Sequence, residues 1–337
     1  MNKFDKFSTK EHFKERELWL EKVSRTFTLS IKILPKDLRD IVGLSYIICR
    51  LLDTIEDAPD MTVSLKKEAL SLFQEIIEHP ESVYKYEEYF SRIAEKYTMK
   101  EYERIIMKNC VHIFIHYNSY SDRVKSIIKP QVVEMAEGMK KYSFGEDKPG
   151  FYLTNFEELE EYTYYVAGTV GRLLSGLFLD KINSSNVREI FSKNDIEFGK
   201  ALQYVNIIKD ANTDILEGRC FIPNEAVKKV IPEELFRTKN KDITAEYLKE
   251  MIYRAEKYIE NSINYISSIP VRCWRIRLFC IWPVIFANKT LKLLKNEFDR
   301  LISSNDVIKI NRKEVKRLIY ISTPAAFSNF YLKIIMK

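Results

Sequence analysis

The chain has 337 residues, of which 46% are hydrophobic, and it contains only 9 glycines and 10 prolines. So few turn-forming residues argue against an all-β fold, which needs a turn about every 8–12 residues. Its 54 basic and 48 acidic residues are interspersed, so the formal charge of +6 predicts no nucleic-acid partner. The composition favours an all-α protein, and the charge excess leaves an anionic ligand or membrane surface open.

Apolar residues recur at helical spacing along most of the chain. Pro35, with Asp37 close behind, marks a helix start, and the apolar stripe from Leu38 to Leu51 predicts a buried helix. Further helices are predicted, in chain order, over residues 65–78, 84–96, 99–117, 122–140, 156–179, 183–189, 196–215, 243–267, 272–297 and 312–335. The breaks are short and no composition shift divides the chain, so we expect a single helical domain over residues 1–337.

Cysteine usage and the lack of long apolar segments indicate the compartment. The five cysteines form no CxxC pair, which is typical of reduced thiols in a cytosolic protein. The N-terminus has no apolar signal core. The most apolar stretch, Leu278 to Ala287, is far shorter than the roughly 20 residues that span a bilayer. We therefore expect a cytoplasmic protein whose membrane contact, if any, is peripheral.

Acidic residues cluster directly after the predicted buried helix. Asp53, Glu56 and Asp57 are separated by three and four positions, which places the three carboxylates on one face of a helix. Like charges grouped in this way repel unless a cation or a basic side chain neutralises them. Arg50, three residues before Asp53, is one such basic side chain. Paired lysines elsewhere, such as Lys66 and Lys67, are expected on solvated faces.

A second acidic pair, Asp210 and Asp214, repeats the four-residue spacing at the polar end of an apolar segment. Lys209 and Arg219 lie nearby, and such basic side chains bind phosphate oxygens. Carboxylates are hard oxygen ligands that suit Mg²⁺, which completes its shell with waters and substrate phosphates. The two clusters predict magnesium sites for a diphosphate. Solvated acidic turns, with salt bridges to the basic residues, are the alternative.

Several ordered segments resemble one enzyme family. Ser24 to Phe27 and the run from Tyr46 to Asp57 look like the first half-site of squalene synthases. The run from Tyr162 to Gly171 resembles that family's central substrate-binding helix, and Gln203 to Asp214 with the following Glu217 to Pro223 resembles its second acid motif. Phe279 to Pro283 and Val307 to Lys313 resemble two later segments. Because the likeness covers residues 20–318 in order, the chain resembles the squalene/phytoene synthase family.

This resemblance implies an all-α isoprenoid synthase fold around a central cavity. Family members join two prenyl diphosphates head to head with the help of Mg²⁺. Squalene synthases make presqualene diphosphate from two farnesyl diphosphates and then reduce it with NADPH. The alternatives are a related enzyme that stops at presqualene diphosphate, makes dehydrosqualene or phytoene, or cyclises one prenyl diphosphate. A non-catalytic helical assembly factor would be expected to have lost the acids that this chain retains.

The resemblance also implies a role for individual residues. The magnesium ligands would be Asp53, Glu56, Asp57, Asp210 and Asp214, and the diphosphate-binding residues would be Ser24, Arg25, Arg50, Lys209 and Arg219. Tyr162 would be the catalytic, proton-transferring residue. The substrate pocket would include Phe27, Tyr46, Tyr165, Gly168, Gln203, Asn206 and Phe279, and NADPH would contact Lys309 and Arg312. Core packing remains the alternative for the aromatic residues, helix packing for Gly168 and Gly171, and a solvated helix start for the basic pair.

Two positions depart from the family pattern. Thr213 stands where many relatives carry a glutamate, which leaves the number of bound magnesium ions open. Val284 follows Pro283 where animal and fungal squalene synthases have glutamine, which bears on the reductive half-reaction. The chain also lacks the glycine-rich GxGxxG motif, so NADPH would have to bind without a Rossmann site.

Overall fold

A computed structural model describes residues 17–22, 25–147, 151–223, 225, 228–303 and 308–337. The side chains of Arg25, Thr26, Phe151, Tyr152 and Thr238 are not described. The contacts group the chain into two compact units, Met1–Pro149 and Gly150–Lys337. The expectation of a single domain stays a prediction.

The secondary-structure elements described in the first unit are all helical. Its helices are α1 (Arg25–Ile33), α2 (Lys36–Asp57), α3 (Val63–Glu78), α4 (Val83–Lys96), α5 (Glu101–Lys108), α6 (Cys110–Asn118) and α7 (Asp122–Lys141), with a 3₁₀ turn at Pro80–Ser82. Helix α2 is the buried helix that the apolar stripe predicts. It packs against α3, α5, α6 and α7, with Leu44, Ile47 and Leu51 almost completely buried. Its last turn carries the first acid cluster.

The second unit is built on three long helices. In chain order it contains β1 (Phe151–Tyr152), α8 (Phe156–Thr163), a π-helical segment (Tyr164–Gly168), α9 (Thr169–Ile182), α10 (Ser185–Leu216), β2 (Arg219–Cys220), α11 (Lys241–Ser268), α12 (Trp274–Asn296), α13 (Phe298–Leu301), α14 (Arg312–Ser322) and α15 (Asn329–Met336). Short 3₁₀ turns lie at Pro232–Glu234, Thr238–Asn240, Val271–Cys273 and Thr323–Phe327. Helices α10, α11 and α12 form the core, and β1 pairs in parallel with β2.

Glycines bring α9 and the π-helical segment close to α10. A Cβ at Gly171 would lie 2.0 Å from the carbonyl oxygen of Asp195, and one at Gly199 would lie 2.0 Å from that of Ala167. At Gly168 it would lie 2.9 Å from Cγ2 of Ile196. No side chain fits at such distances, so helix packing accounts for both Gly168 and Gly171. The substrate-pocket role of Gly168 stays a prediction.

Three predicted helix boundaries are wrong. The predicted segments 183–189 and 196–215 form one helix, α10, because Phe191 is buried and continues the apolar stripe through the proposed gap. The segment 99–117 divides at Asn109, whose side-chain amide donates to the Ile105 carbonyl. The segment 312–335 is interrupted at Thr323–Phe327, where Pro324 has no amide hydrogen to donate.

The prediction that Lys66 is solvated is also wrong. The side chain is completely buried, its Nζ donates to the backbone oxygen of Glu56 at 2.6 Å, and it lies 4.1 Å from the centroid of the Phe144 ring. Burial of a lysine is tolerated when its ammonium is hydrogen-bonded in this way. The C-terminal end of a helix carries partial negative charge, so Lys66 also complements the end of α2.

The cysteines and the membrane prediction can be compared with the structure. None of the five cysteines forms a disulfide, and four of them are buried. Among the residues described, no helix is both long enough and apolar enough to cross a membrane.

Candidate active site

Arg50 is the centre of the first acid cluster. Its guanidinium lies 3.6 Å from the Asp53 carboxylate and donates a hydrogen bond to Glu103 on α5. Both Arg50 and Glu103 are largely buried, with 19% and 8% of their side chains exposed. The salt bridge expected between Arg50 and the cluster is therefore present, and Glu103 fixes the guanidinium from the other side.

Burial and neighbouring charges together set the protonation of Asp53 in this cluster. Loss of contact with water raises the pKa of Asp53 to about 7, although 31% of its side chain is exposed, and Asp57 and Glu103 add to the rise. Arg50 opposes that rise. Burial disfavours the charged form of Arg50, but Asp53, Glu103 and Asp57 outweigh burial and raise its pKa. The last two turns of α2 thus present more negative charge than Arg50 neutralises.

The three acids of the first cluster differ in exposure. Asp57 is exposed, Asp53 is half-buried and Glu56 is buried. The Asp53–Asp57 pair therefore presents the more accessible carboxylates. The metal-binding role of Glu56 stays a prediction.

The second acid cluster lies on the last two turns of α10. The Lys209 ammonium is 3.0 Å from the Asp210 carboxylate, and the Arg219 guanidinium is 3.1 Å from that of Asp214. Arg219 also lies 2.5 Å from Glu217. Gly218, with a φ of +82°, turns the chain so that β2 begins directly after the helix and returns Arg219 to its end. The salt-bridge prediction is thus confirmed for both basic residues.

The helix that carries Tyr162 departs from regular α geometry. The Tyr162 side chain is buried, and its ring lies 5.1 Å from that of Phe221. Directly after it, Tyr164–Gly168 is π-helical, and the amide of Thr169 donates to the carbonyl of Tyr164, five residues earlier. A π turn inside a helix occurs frequently at functional sites. The structure therefore adds an independent indication that this motif is functional.

The other predicted pocket residues have varied surroundings. Phe27 and Tyr46, two of the predicted pocket residues, stack within the first unit with their ring centroids 5.7 Å apart. Tyr165 is half-buried, with its ring 5.4 Å from that of Tyr164. Phe279 is buried and packs edge-on against Phe178 at 5.4 Å, which is an ordinary core contact.

The remaining predicted residues lie on or near the surface, or outside the described part. Gln203 is half-buried and Asn206 is exposed, with its side-chain oxygen 3.5 Å from the Lys209 ammonium. Lys309 and Arg312 are both exposed at the start of α14. Ser24 and the side chain of Arg25 lie outside the described residues.

A polar network next to the Tyr162 motif was not predicted. The carboxylate of Glu160, two residues before Tyr162, accepts hydrogen bonds from Lys200, Tyr204, Arg254 and Tyr258 at 2.5–3.2 Å. Burial alone would raise the pKa of Glu160, but the hydrogen bonds from Lys200, Tyr204 and Tyr258 outweigh burial and lower it. One sequence pattern could have indicated this network: a basic residue is followed by a tyrosine four positions later on both α10 and α11, as Lys200 with Tyr204 and Arg254 with Tyr258.

The donor chemistry of the clusters fits Mg²⁺. In the part of the chain that is described, no three His, Cys, Asp or Glu side chains are grouped as a metal site. Each cluster instead offers two aspartates one helical turn apart, Asp53 with Asp57 and Asp210 with Asp214. Mg²⁺ commonly binds one or two carboxylates and takes its other ligands from water and substrate phosphates. These pairs therefore suit a magnesium ion that arrives with a diphosphate.

Comparison with known proteins identifies the family. The family model described as squalene/phytoene synthase matches residues 20–314. The chain belongs to the squalene/phytoene synthase family. It is 28% identical to squalene synthase of Rattus norvegicus over 329 residues, which cover 95% of this chain and 72% of the rat protein.

Solved structures of low sequence identity share the fold of this chain. A structure of TcSQS with the ligand BPH1237 matches with a TM-score of 0.78 and 23% identity, covering 96% of this chain and 90% of that one. A dehydrosqualene synthase in complex with a ligand matches with a TM-score of 0.65 and 19% identity, covering 96% and 98% of the two chains. The predicted all-α isoprenoid synthase fold is confirmed, and the chain is a prenyltransferase of the squalene/phytoene synthase family.

Proposed function

We propose that this family member joins two farnesyl diphosphates head to head to form presqualene diphosphate and then reduces it to squalene with NADPH. The observation that carries the proposal is the pair of aspartate clusters, each next to a guanidinium held within 3.1–3.6 Å of an acid. The similarity to rat squalene synthase over 95% of the chain supports this branch of the family over its sister enzymes.

The first step depends on binding and ionising an allylic diphosphate. The residues that would hold Mg²⁺ are Asp53, Glu56, Asp57, Asp210 and Asp214, and those that would bind the diphosphate are Ser24, Arg25, Arg50, Lys209 and Arg219. Bound Mg²⁺ neutralises the diphosphate and makes it a better leaving group. Arginine guanidinium groups bind phosphate oxygens in a bidentate manner, so Arg50 and Arg219 would orient the leaving group.

The carbon skeleton then reacts as a cation. Loss of diphosphate leaves an allylic cation, the double bond of the second farnesyl diphosphate attacks it, and loss of a proton closes the cyclopropane ring. The phenol oxygen of Tyr162 passes this proton to the departed diphosphate. The residues that we propose for contact with the prenyl chains are Phe27 and Tyr46 in the first unit, and Tyr165, Gly168, Gln203, Asn206 and Phe279 in the second. Their rings exclude water, which would otherwise trap the cation, and stabilise positive charge.

The reductive step requires a nicotinamide nucleotide. Bound NADPH supplies the hydride that quenches the rearranged cation. Lys309 and Arg312 are exposed cations three residues apart, which suits contact with the phosphates of the nucleotide. Asn311 accepts the amide hydrogen of Glu314 at 2.9 Å and so fixes the start of α14 between them. We place the reaction in the cytoplasm, in keeping with five free cysteines.

A second candidate is a family member that omits the reduction and releases presqualene diphosphate or dehydrosqualene. The observation that favours it is Val284, a completely buried apolar residue where animal and fungal squalene synthases carry glutamine. An apolar side chain there provides no hydrogen bond for a substrate or cofactor group.

Incubation of the purified protein with farnesyl diphosphate and Mg²⁺, with and without NADPH, separates these candidates by mass spectrometry of the products. Squalene formed only with NADPH supports the proposal. Presqualene diphosphate that accumulates despite NADPH, or dehydrosqualene, supports the second candidate. Product formed equally well after magnesium is removed with EDTA contradicts the metal-dependent step in both.

A further inference from the structure

Exposed apolar side chains are concentrated near the C-terminal end of the second unit. Ten large hydrophobic side chains are exposed among the described residues, and four of them lie within residues 320–334. These are Tyr320, Phe327, Phe330 and Ile334, exposed by 83%, 54%, 78% and 49%. Single exposed hydrophobic residues are normal, but several in one short segment mark an interaction surface.

The geometry brings these side chains onto neighbouring elements. Phe330 and Ile334 are four residues apart on α15, so they share one face of that helix. Phe327 ends the preceding 3₁₀ turn, with its ring 6.0 Å from that of Trp274. The hydroxyl of Tyr331 donates to the carbonyl of Ile321 at 3.0 Å, which holds α15 beside the end of α14.

The segment is fixed to the core by a buried arginine. Arg277 of α12 is completely buried, and its guanidinium donates to the carbonyl of Ala325 at 3.3 Å and to the side-chain oxygen of Asn329 at 2.6 Å. It also donates to the carbonyl of Ile269 at 2.6 Å. The segment that carries the exposed apolar residues is therefore hydrogen-bonded to the core.

The same segment carries nearly all of the protein's excess charge. Residues 309–337 contain seven lysines and arginines and one acid, a net +6 that equals the formal charge of the whole chain. On α14 the exposed residues are Arg312, Lys313, Lys316, Arg317 and Tyr320, a spacing that places them along one side of the helix. The single acid, Glu314, lies 3.5 Å from Arg317 and 4.0 Å from Lys289.

We propose that this C-terminal surface, formed by Lys316, Arg317, Tyr320, Phe327, Phe330, Lys333 and Ile334, docks on the surface of an anionic lipid membrane. Aromatic side chains partition into the interfacial region of a bilayer, and adjacent lysines and arginines are attracted to anionic headgroups. A second copy of the chain would bring the same +6 segment against itself, so charge complementarity favours an anionic partner over self-association.

This mode of attachment is peripheral and independent of the proposed reaction. Helix α15 has 8 residues, about 12 Å of helix, which is sufficient for one apolar face to enter the headgroup region but not to span the hydrocarbon core. The apolar tips enter the interface while the basic stripe of α14 lies against the headgroups.

Vesicle co-sedimentation of the full chain tests the proposal. The vesicles are phosphatidylcholine alone, or phosphatidylcholine with phosphatidylglycerol at about 150 mM salt. We expect the native protein to bind the anionic vesicles at least about tenfold more tightly than the neutral ones. The variants Phe330→Ser/Ile334→Ser and Lys316→Glu/Arg317→Glu should each weaken anionic binding by at least about tenfold.

A matched control is Tyr253→Ser, which removes a 55% exposed aromatic from α11 about 21 Å along that helix from Ser267, the residue that contacts Asn329. This control should bind like the native protein, and thermal melts should show that all variants fold. Equal binding to neutral and anionic vesicles, or unchanged binding by both double variants, would overturn the proposal.

Analytical ultracentrifugation without vesicles tests the alternative occupant. A native dimer that Phe330→Ser/Ile334→Ser converts to a monomer would assign the surface to self-association and overturn membrane docking. Product formation in vesicle-free buffer should be the same for native protein and both double variants. Failure of docking is thereby distinguishable from failure of the proposed reaction.

Discussion

The guanidinium of Arg219 lies 3.1 Å from the carboxylate of Asp214, five residues earlier in the chain. Both side chains are mostly buried, with 17% and 14% of their surfaces exposed. Such a pair can form an internal salt bridge when no substrate is bound, and each of its two residues can bind a group of opposite charge when substrate is present. On the proposed function, a magnesium diphosphate would supply a cation for Asp214 and an anion for Arg219, so both charges would remain neutralised.

The substitution Arg219→Gln should raise the KM for farnesyl diphosphate by at least about tenfold, because a hydrogen bond from a charged donor to phosphate is lost. Steady-state kinetics at saturating Mg²⁺ measure the effect. Glu217→Gln, which alters the other carboxylate that Arg219 contacts, is the matched control and should keep a KM near the native value. Unchanged kinetics in Arg219→Gln would show that this residue serves only the salt bridge.

The buried contact between Arg50 and Glu103 should be energetically coupled. Arg50→Met leaves the Glu103 carboxylate without its guanidinium partner, and we expect a loss of about 3 kcal/mol in the free energy of unfolding. The double variant Arg50→Met/Glu103→Gln should lose less, because the buried charge of Glu103 is removed together with its partner and only Asp53 is left without Arg50. Urea denaturation of both single variants and the double variant gives the coupling energy. Strictly additive losses would contradict the pairing.

Glu160 should make stability depend on pH. Burial raises its pKa in the folded protein, but the hydrogen bonds from Lys200, Tyr204 and Tyr258 outweigh burial and lower the pKa. Its contribution to stability is therefore fully present above the unfolded pKa of about 4.3. The contribution disappears as the pH falls through the lower, folded pKa. Glu160→Gln should therefore cost about 1–2 kcal/mol at pH 7 and progressively less as the pH is lowered below 4.

The matched control for this titration is Glu189→Gln, which removes an exposed carboxylate paired with Lys193. Exposed helix pairs contribute little, so its unfolding curves should follow the native protein at every pH. Denaturant unfolding between pH 3 and pH 7 provides the comparison. A constant difference between native protein and Glu160→Gln across this range would mean that the charge of Glu160 does not matter.

Gly171→Ala should separate α9 from α10. The added methyl carbon would lie 2.0 Å from the backbone oxygen of Asp195, and a backbone atom cannot move aside as a flexible side chain can. We expect a loss of about 1–3 kcal/mol, measured by thermal or urea unfolding. Gly176→Ala adds the same group to the same helix at a half-buried rather than a buried position, and should be less harmful. A Gly171→Ala protein as stable as the native one would contradict the packing described.

Local pattern was sufficient to predict most of the helices, though not all of their ends, and the positions of the two acid clusters. The stripe that buries α2 and the four-residue spacings of Asp53 with Asp57 and Asp210 with Asp214 are properties of adjacent residues, which a helix converts directly into shared faces. The basic neighbours Lys209 and Arg219 could be paired with their acids for the same reason.

Long-range partners could not be predicted in the same way. Glu103 lies 53 residues after Arg50, and nothing in the local sequence indicates that α5 packs against that part of α2. Lys66 looked solvated because lysine usually is, yet the Glu56 carbonyl and the Phe144 ring provide an interior site for its ammonium. The carboxylate of Glu160 accepts hydrogen bonds from residues of α10 and α11. The positions of these two helices relative to Glu160 are set by packing rather than by spacing along the chain.

The central claim is that the two aspartate clusters bind the magnesium diphosphate that leaves in the first step. The most direct measurement is the Mg²⁺-dependent turnover of farnesyl diphosphate by Asp53→Asn and Asp210→Asn, beside Asp122→Asn, which alters a fully exposed acid on α7. The account predicts at least about a hundredfold loss of turnover in the first two variants, with folding retained, and native turnover in the third. Undiminished turnover in a folded Asp53→Asn or Asp210→Asn protein would contradict it.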